Sequence, residues 1–170
     1  MDSLLDLLLA DGGRTGGIYF HISEDDVRTI MRDPHVGVGS DGLYTGRPGQ
    51  PERGRPHPRH FGTFPRVLGR YVRDDGILAL PEAVRKMTSL SADALGLADR
   101  GRIQAGAAAD LVVFDPAAVL DRATFETPHA APEGIGAVVV NGVPVVLDGE
   151  PTGATPGRVL RRGESRRLTR

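Results

Sequence analysis

The chain has 170 residues, 39% hydrophobic and 25% charged, with a net charge of −1. That composition suits one ordinary globular core, and the balanced charge gives no overall pull toward nucleic acid or an anionic membrane. Cysteine and tryptophan are absent and aromatics are 5%, which excludes a disulfide scaffold, thiol chemistry, thiolate metal sites and a base-stacking surface.

Residues 3–10 form a short helix on this reading, with Leu4, Leu7 and Leu8 on one face and the Asp11-Gly-Gly13 run ending it. The run is too short to span a membrane and lacks the basic start of a signal peptide, so the default compartment is the cytoplasm. Residues 17–20 (Gly-Ile-Tyr-Phe) are the first expected strand. Ser23 with Asp26 three residues on reads as a capping box, and Val27, Ile30 and Met31 give the following helix an apolar stripe. Pro34 follows its end, and residues 36–39 are expected as a second strand. Strand, helix, strand suits an αβ unit with parallel strands.

A long loop rich in Gly, Pro and Arg, residues 44–59, follows directly. Phe64, Val67, Leu68, Tyr71 and Val72 then mark one face of an amphipathic helix. Pro81 suits the first turn of the next helix, which is expected to bury Ala83, Val84 and Met87. Ser91 is expected to cap a short third helix, terminated by Gly96. From about Gly101 the character turns to β-branched runs, 110–114 and 137–147, and Asn141-Gly142 between apolar stretches is a strong hairpin signal. Pro144 pushes its strand toward an edge. The arginine-rich tail from Gly157 reads as a solvated terminus.

Asp41 is the leading candidate for chemistry. It closes the stretch Val36-Gly-Val-Gly-Ser-Asp-Gly42, and a carboxylate at the C-terminal end of a parallel strand points into the mouth of an αβ barrel. The plainer reading is a turn acid bonding the backbone of Gly42 and Leu43. In the loop beyond, His57-Pro-Arg59-His60 reads either as a metal pair or as a substrate clamp, with Arg59 the bidentate partner for a carboxylate. His21 and His35 flank a helix and a strand and read as structural, and Asp110 reads as a cap or turn. Neither a dinucleotide fingerprint nor the Lys-Ser/Thr of a P-loop is present.

Seven pieces in order carry a resemblance: Ser40-Asp-Gly42, His57-Pro-Arg59, Phe61-Gly-Thr-Phe-Pro-Arg-Val-Leu68, Ala83-Val-Arg-Lys-Met-Thr88, Gly96-Leu-Ala-Asp-Arg-Gly101, Gly106-Ala-Ala-Ala-Asp-Leu-Val-Val-Phe-Asp115 and Val140-Asn-Gly142. Together they resemble the C-terminal part of the D-aminoacylase branch (N-acyl-D-amino-acid deacylases) of the amidohydrolase superfamily, across residues 4–162. The resemblance implies a zinc-dependent hydrolase of linear amides, acting on N-acyl-D-amino acids as small-molecule substrates. Its fold class would be α/β, the C-terminal part of a (β/α)8 barrel with later strands of a small β-sandwich. Residues 1–100 would belong to the barrel and 101–162 to the sandwich, with 163–170 a basic tail. Asp41 matches the family's aspartate at the end of the last barrel strand, which the resemblance implies to be a metal residue in a complete site and to take a proton from bound water and return one to the leaving nitrogen.

The family's zinc ligands include a His-x-His pair, a cysteine and two further histidines. This chain has no His-x-His, no cysteine and a single lysine, Lys86. Its histidines, His21, His35, His57, His60 and His129, match none of the family's metal positions. The expectation is therefore a chain that holds no zinc tightly by itself and is inactive alone. It would be either a truncated gene product or the partner of a separately encoded N-terminal part, with no nucleic-acid or membrane partner. Two other classes remain open: a non-catalytic binding or scaffolding remnant, and a segment of a cyclic amidase of the same superfamily.

Overall fold

Ser23 shows how local chemistry starts the helical half. In the computed structural model, which describes residues 2–14, 16, 17, 20–43 and 55–161, its hydroxyl accepts the Asp26 amide at 3.1 Å and donates to the Asp26 carboxylate at 2.7 Å. This satisfies one of the amides left over at a helix start. The helix it opens, α2 (Glu24–Arg32), has three acids in its first turn and Arg32 in its last, matching the helix dipole. Before it comes α1 (Asp2–Ala10). Of the leucines expected on one inward face of α1, only Leu8 is half-buried, while Leu4 and Leu7 are exposed. Part of the first expected strand, most of the loop from Tyr44 and the end of the basic tail lie outside the described residues.

After the loop, α3 (Arg59–Arg66) runs without a break into a π-helical stretch (Val67–Asp74). Pro65, inside α3, has no amide to donate, and the wider turn begins two residues after it. Val67, Leu68 and Tyr71 of the expected stripe are buried, whereas Phe64 is exposed. Next come α4 (Leu80–Met87), with Pro81 in its first turn as expected, and α5 (Ser89–Leu95). Gly96 closes α5 in the left-handed conformation (φ 72°). Two details differ from the sequence reading. Thr88 is the residue before α5, and Ser91 lies within the helix, donating to the Lys86 carbonyl at 3.3 Å. In α4 the second inward position belongs to Lys86, fully buried, while Val84 is exposed. A lysine can take an inward place because its ammonium meets backbone carbonyls there.

Val67, Tyr71 and Ala83 form the heart of the core, with Val27, Met31, Val38, Ile77 and Met87 packed against it. Val38 brings in residues 36–40, which form no ladder, so the expected parallel strand is not seen among the described residues. A strand needs a neighbour for its backbone groups. Here the Val38 amide bonds the Lys86 carbonyl at the end of α4 instead, at 3.2 Å. Gly37 permits this approach: a Cβ there would lie 3.3 Å from the same carbonyl.

The second half is one four-stranded antiparallel sheet in the order β1 (Leu111–Phe114), β2 (Ile135–Val140), β3 (Val143–Leu147), β4 (Glu150–Pro151). Asn141 and Gly142 join β2 to β3 with φ of 48° and 81°, the pair of positive angles that a two-residue hairpin demands. Pro144 faces Val139 across the hairpin. Pairing to β4 starts only at Val146, so the ladder on its outer side is open as expected. A second sheet that would complete a sandwich is not seen among the described residues, and Val112 and Val113 are more than half exposed.

Val119 joins the halves. It is fully buried, and the Arg73 guanidinium from the π-helical stretch donates to its carbonyl at 2.7 Å and to that of Ala117 at 3.2 Å. A Cβ on Gly69 would lie 2.6 Å from the same Val119 oxygen, and one on Gly134 would lie 2.5 Å from its nitrogen. Asp110 braces the hairpin turn, accepting the Asn141 amide at 2.8 Å and pairing with Arg100. No helix among the described residues is long and apolar enough to cross a membrane.

Candidate active site

Asp41 lies where segment 36–40 leaves the core. Its φ is +49°, a left-handed conformation that aspartate tolerates better than most residues but that still costs on the order of 1–3 kcal/mol. Its side chain is 79% exposed. Ser40 helps set the turn by accepting the Gly42 amide at 3.2 Å. Gly42 in turn sits against the start of α3, where a Cβ would come within 3.2 Å of the His60 Cα.

That approach brings together the two residues singled out from sequence. Arg59, the first residue of α3, reaches the Asp41 carboxylate with Nη2 at 2.8 Å and donates from Nε to the Asp41 carbonyl at 3.2 Å. Its own backbone amide donates to His57 Nδ1 at 3.1 Å. A neutral His57 in this arrangement keeps its proton on Nε2. Burial, then the neighbouring Arg59 and His60, holds the His57 imidazole below its ordinary value against the opposite pull of Asp41. The ring lies edge-on to Phe125 (5.0 Å between centroids), which meets Phe20 at 5.2 Å. An acid, a cation, an imidazole and two phenyl rings thus share one exposed rim.

His57 Nδ1 is occupied by the Arg59 amide, and no three His, Asp or Glu side chains cluster closely enough to hold a metal ion among the described residues. Arg59 further sets a cation against the Asp41 carboxylate. His35 is engaged through its backbone, donating to Asp33 at 2.8 Å. Sequence reading missed Lys86. Its ammonium donates to the carbonyls of Asp33 and Val36 and lies 4.0 Å from Glu82, tying the start of the Asp41-bearing segment to α4. The only sign in the sequence is the Glu82–Lys86 spacing of four on a helix.

The model of the amidohydrolase family matches residues 8–146. A D-aminoacylase from Alcaligenes xylosoxydans xylosoxydans is 53% identical over 147 residues, 86% of this chain and 29% of that protein. A crystal structure of D-aminoacylase, described as defining a novel subset of amidohydrolases, superposes with a TM-score of 0.76 at 53% identity, over 85% of this chain and 29% of that one. The N-acyl-D-glutamate deacylase from Bordetella bronchiseptica, crystallised with zinc and a phosphonate mimic of the tetrahedral intermediate, gives 0.71 at 44% identity, over 87% and 33%. The chain thus spans about a third or less of the length of these relatives. The zinc in the Bordetella structure finds no matching set of three ligands among the described residues here, so no step of the chemistry is derived through a metal. By sequence and by structure alike, the chain belongs to the amidohydrolase family.

Proposed function

We propose that these 170 residues form the Asp41-bearing C-terminal part of a zinc-dependent hydrolase that cleaves the linear amide of N-acyl-D-amino acids. One observation carries the reading. In a chain 53% identical to a D-aminoacylase, the Asp41 carboxylate projects into solvent from a left-handed turn at the end of segment 36–40. On this reading residues 36–41 are the end of the last barrel strand, residues 1–100 belong to the barrel and 101–162 to the accompanying sandwich. The rest of the site, including the metal ligands other than Asp41, comes from outside the described residues, either in the same polypeptide or from a separately encoded partner. A cytoplasmic location accords with the reading.

Asp41 supplies the proton traffic. Its carboxylate takes a proton from the attacking water and returns it to the amide nitrogen, which is a poor leaving group until protonated. Exposure leaves the carboxylate open to an incoming substrate. The sequence suggests Arg59 as a clamp for the substrate's own carboxylate, a role that requires the substrate to share a guanidinium already engaged by Asp41.

The test supplies the remaining two-thirds of a D-aminoacylase, in trans or by fusion, and follows zinc-dependent release of free amine from an N-acetyl-D-amino acid. Asp41→Asn preserves size but cannot accept the proton, so turnover should fall by at least ~10²-fold at unchanged zinc content. A turnover within a few-fold of wild type would make Asp41 a turn residue. A reassembled protein that folds but never hydrolyses the amide would favour a binding module.

A further inference from the structure

We propose that Lys86 is a positioning residue for Asp41, fixing the register of the segment that delivers the acid; the catalytic part of this inference rests on the acid–base reading of Asp41. Lys86 grips residues 33–38 with both its ends. Its Nζ donates to the carbonyls of Asp33 and Val36, the latter at 2.8 Å, and its own carbonyl accepts the Val38 amide at 3.2 Å. Arg85 beside it donates to the Pro34 carbonyl at 2.6 Å. Backbone groups of Asp33, Pro34, Val36 and Val38 thus all answer to two neighbouring residues in the last turn of α4. Among the described residues the segment has no ladder with a strand, so these bonds set how far along its own direction it lies. Val38, packed against the core, sets which way it faces. The approach is close: a Cβ on Gly37, between the two Lys86 bonds, would lie 3.3 Å from the Lys86 carbonyl and 3.2 Å from Ser91 Oγ.

The chemistry of lysine suits this task. Its side chain is wholly shielded from solvent, and a buried ammonium is tolerated only where acceptors meet it. Here they do: two carbonyls, Glu82 at 4.0 Å on the preceding turn, and the C-terminal end of α4, whose dipole favours a cation. An apolar side chain of the same length could fill the space, but it would not choose among positions along the segment. The ammonium does, because its N–H groups must each find an acceptor.

Register matters three residues further on. Along a strand, a slip of one residue carries a side chain about 3.3 Å and turns it to the opposite face. An acid that receives and returns a proton tolerates far less, since a displacement of about 1 Å can cost ~10²-fold in rate. Asp41 sits in a left-handed turn with its side chain exposed, so little packing of its own corrects such a slip. Its placement is inherited from the buried part of the segment, and there Lys86 holds it.

Two experiments test the proposal, and both use the absence of cysteine from the chain. Lys86→Cys offers one thiol, which can be alkylated in the unfolded chain before refolding. Bromoethylamine restores an ammonium at the length of lysine, and bromopropane gives a neutral side chain of the same length. In the full 170-residue chain, hydrogen exchange read by mass spectrometry should be at least about ten-fold faster across residues 36–40 in the propyl form than in the aminoethyl form. That acceleration should exceed the one in β2 at least about five-fold, which discounts a general loss of stability. Equal acceleration in both places, or none, overturns the proposal. In the active assembly with the rest of a D-aminoacylase, the propyl form should have a kcat at least about ten-fold below the aminoethyl form, with KM within about three-fold. Equal kcat for the two forms, or a raised KM with kcat intact, overturns it too. Lys86→Met against wild type repeats both comparisons without refolding. Were the wild-type assembly inactive, the proposed function would fail, while the exchange experiment would still decide whether Lys86 holds the segment.

Discussion

Lys86 Nζ donates to the carbonyl of Val36 at 2.8 Å from a side chain wholly shielded from solvent. The same ammonium bonds the Asp33 carbonyl just beyond α2, with Glu82 4.0 Å away. One buried cation therefore closes the gap between the end of α2, the segment leading to Asp41, and α4.

Replacing it should be costly. Lys86→Met keeps the volume but leaves two carbonyls without their donor, each worth roughly 1–3 kcal/mol when buried unsatisfied. We expect a loss of about 2–4 kcal/mol in urea unfolding, with the slope unchanged. A loss below about 0.5 kcal/mol would mean that water reaches these carbonyls and that the lysine is dispensable.

The joint at Val119 makes a second prediction. Gly134→Ala places a methyl 2.5 Å from the Val119 nitrogen at a φ of +75°, combining left-handed strain with a clash against backbone that cannot swing away. The expected cost is about 2–4 kcal/mol. Gly142→Ala is the control: its φ is +81° but it has open space around it, so only strain of about 1–2 kcal/mol applies. Equal unfolding midpoints for the two variants would show that the close approach at Val119 contributes nothing.

Glu24 sets an acid limb of stability. Burial alone would raise its carboxyl, but the Tyr71 hydroxyl and the Arg70 and Arg66 guanidinium groups outweigh burial and hold it below the ordinary 4.5. A depressed acid contributes its full stabilisation above the unfolded value, and the contribution is lost as pH falls through the folded one. Wild type should therefore exceed Glu24→Gln by ~0.5–1 kcal/mol at neutral pH, the modest size reflecting a solvent-screened network. The gap should close on acidification below about 4.5. A gap independent of pH between 7 and about 3 would assign Glu24's effect to packing.

Metal content distinguishes the described residues from a complete zinc site. Catalytic zinc takes about three protein ligands, and Asp41 is the single one that the family resemblance assigns here. After dialysis, elemental analysis of the purified chain should find well under one zinc per molecule. Stoichiometric, tightly held zinc would promote His57 and His60 to ligands and require the Arg59–His57 bond to break.

What the sequence by itself determined is the part governed by neighbours along the chain. The Ser23–Asp26 cap, the helix start at Pro81, the left-handed stop at Gly96 and the Asn141-Gly142 hairpin each depend on backbone angles and hydrogen bonds within a few residues. The family, too, was legible, because its motifs are local and ordered. Tertiary structure alone decided the rest. Arg59 meets Asp41 across eighteen positions and Lys86 meets Val36 across fifty, and no periodicity encodes such encounters. The same holds for segment 36–40, whose apolar pattern reads as a strand while its amide goes to the end of α4. An extended backbone is a property of the chain, but the partner for its hydrogen bonds is chosen by whatever the fold packs beside it.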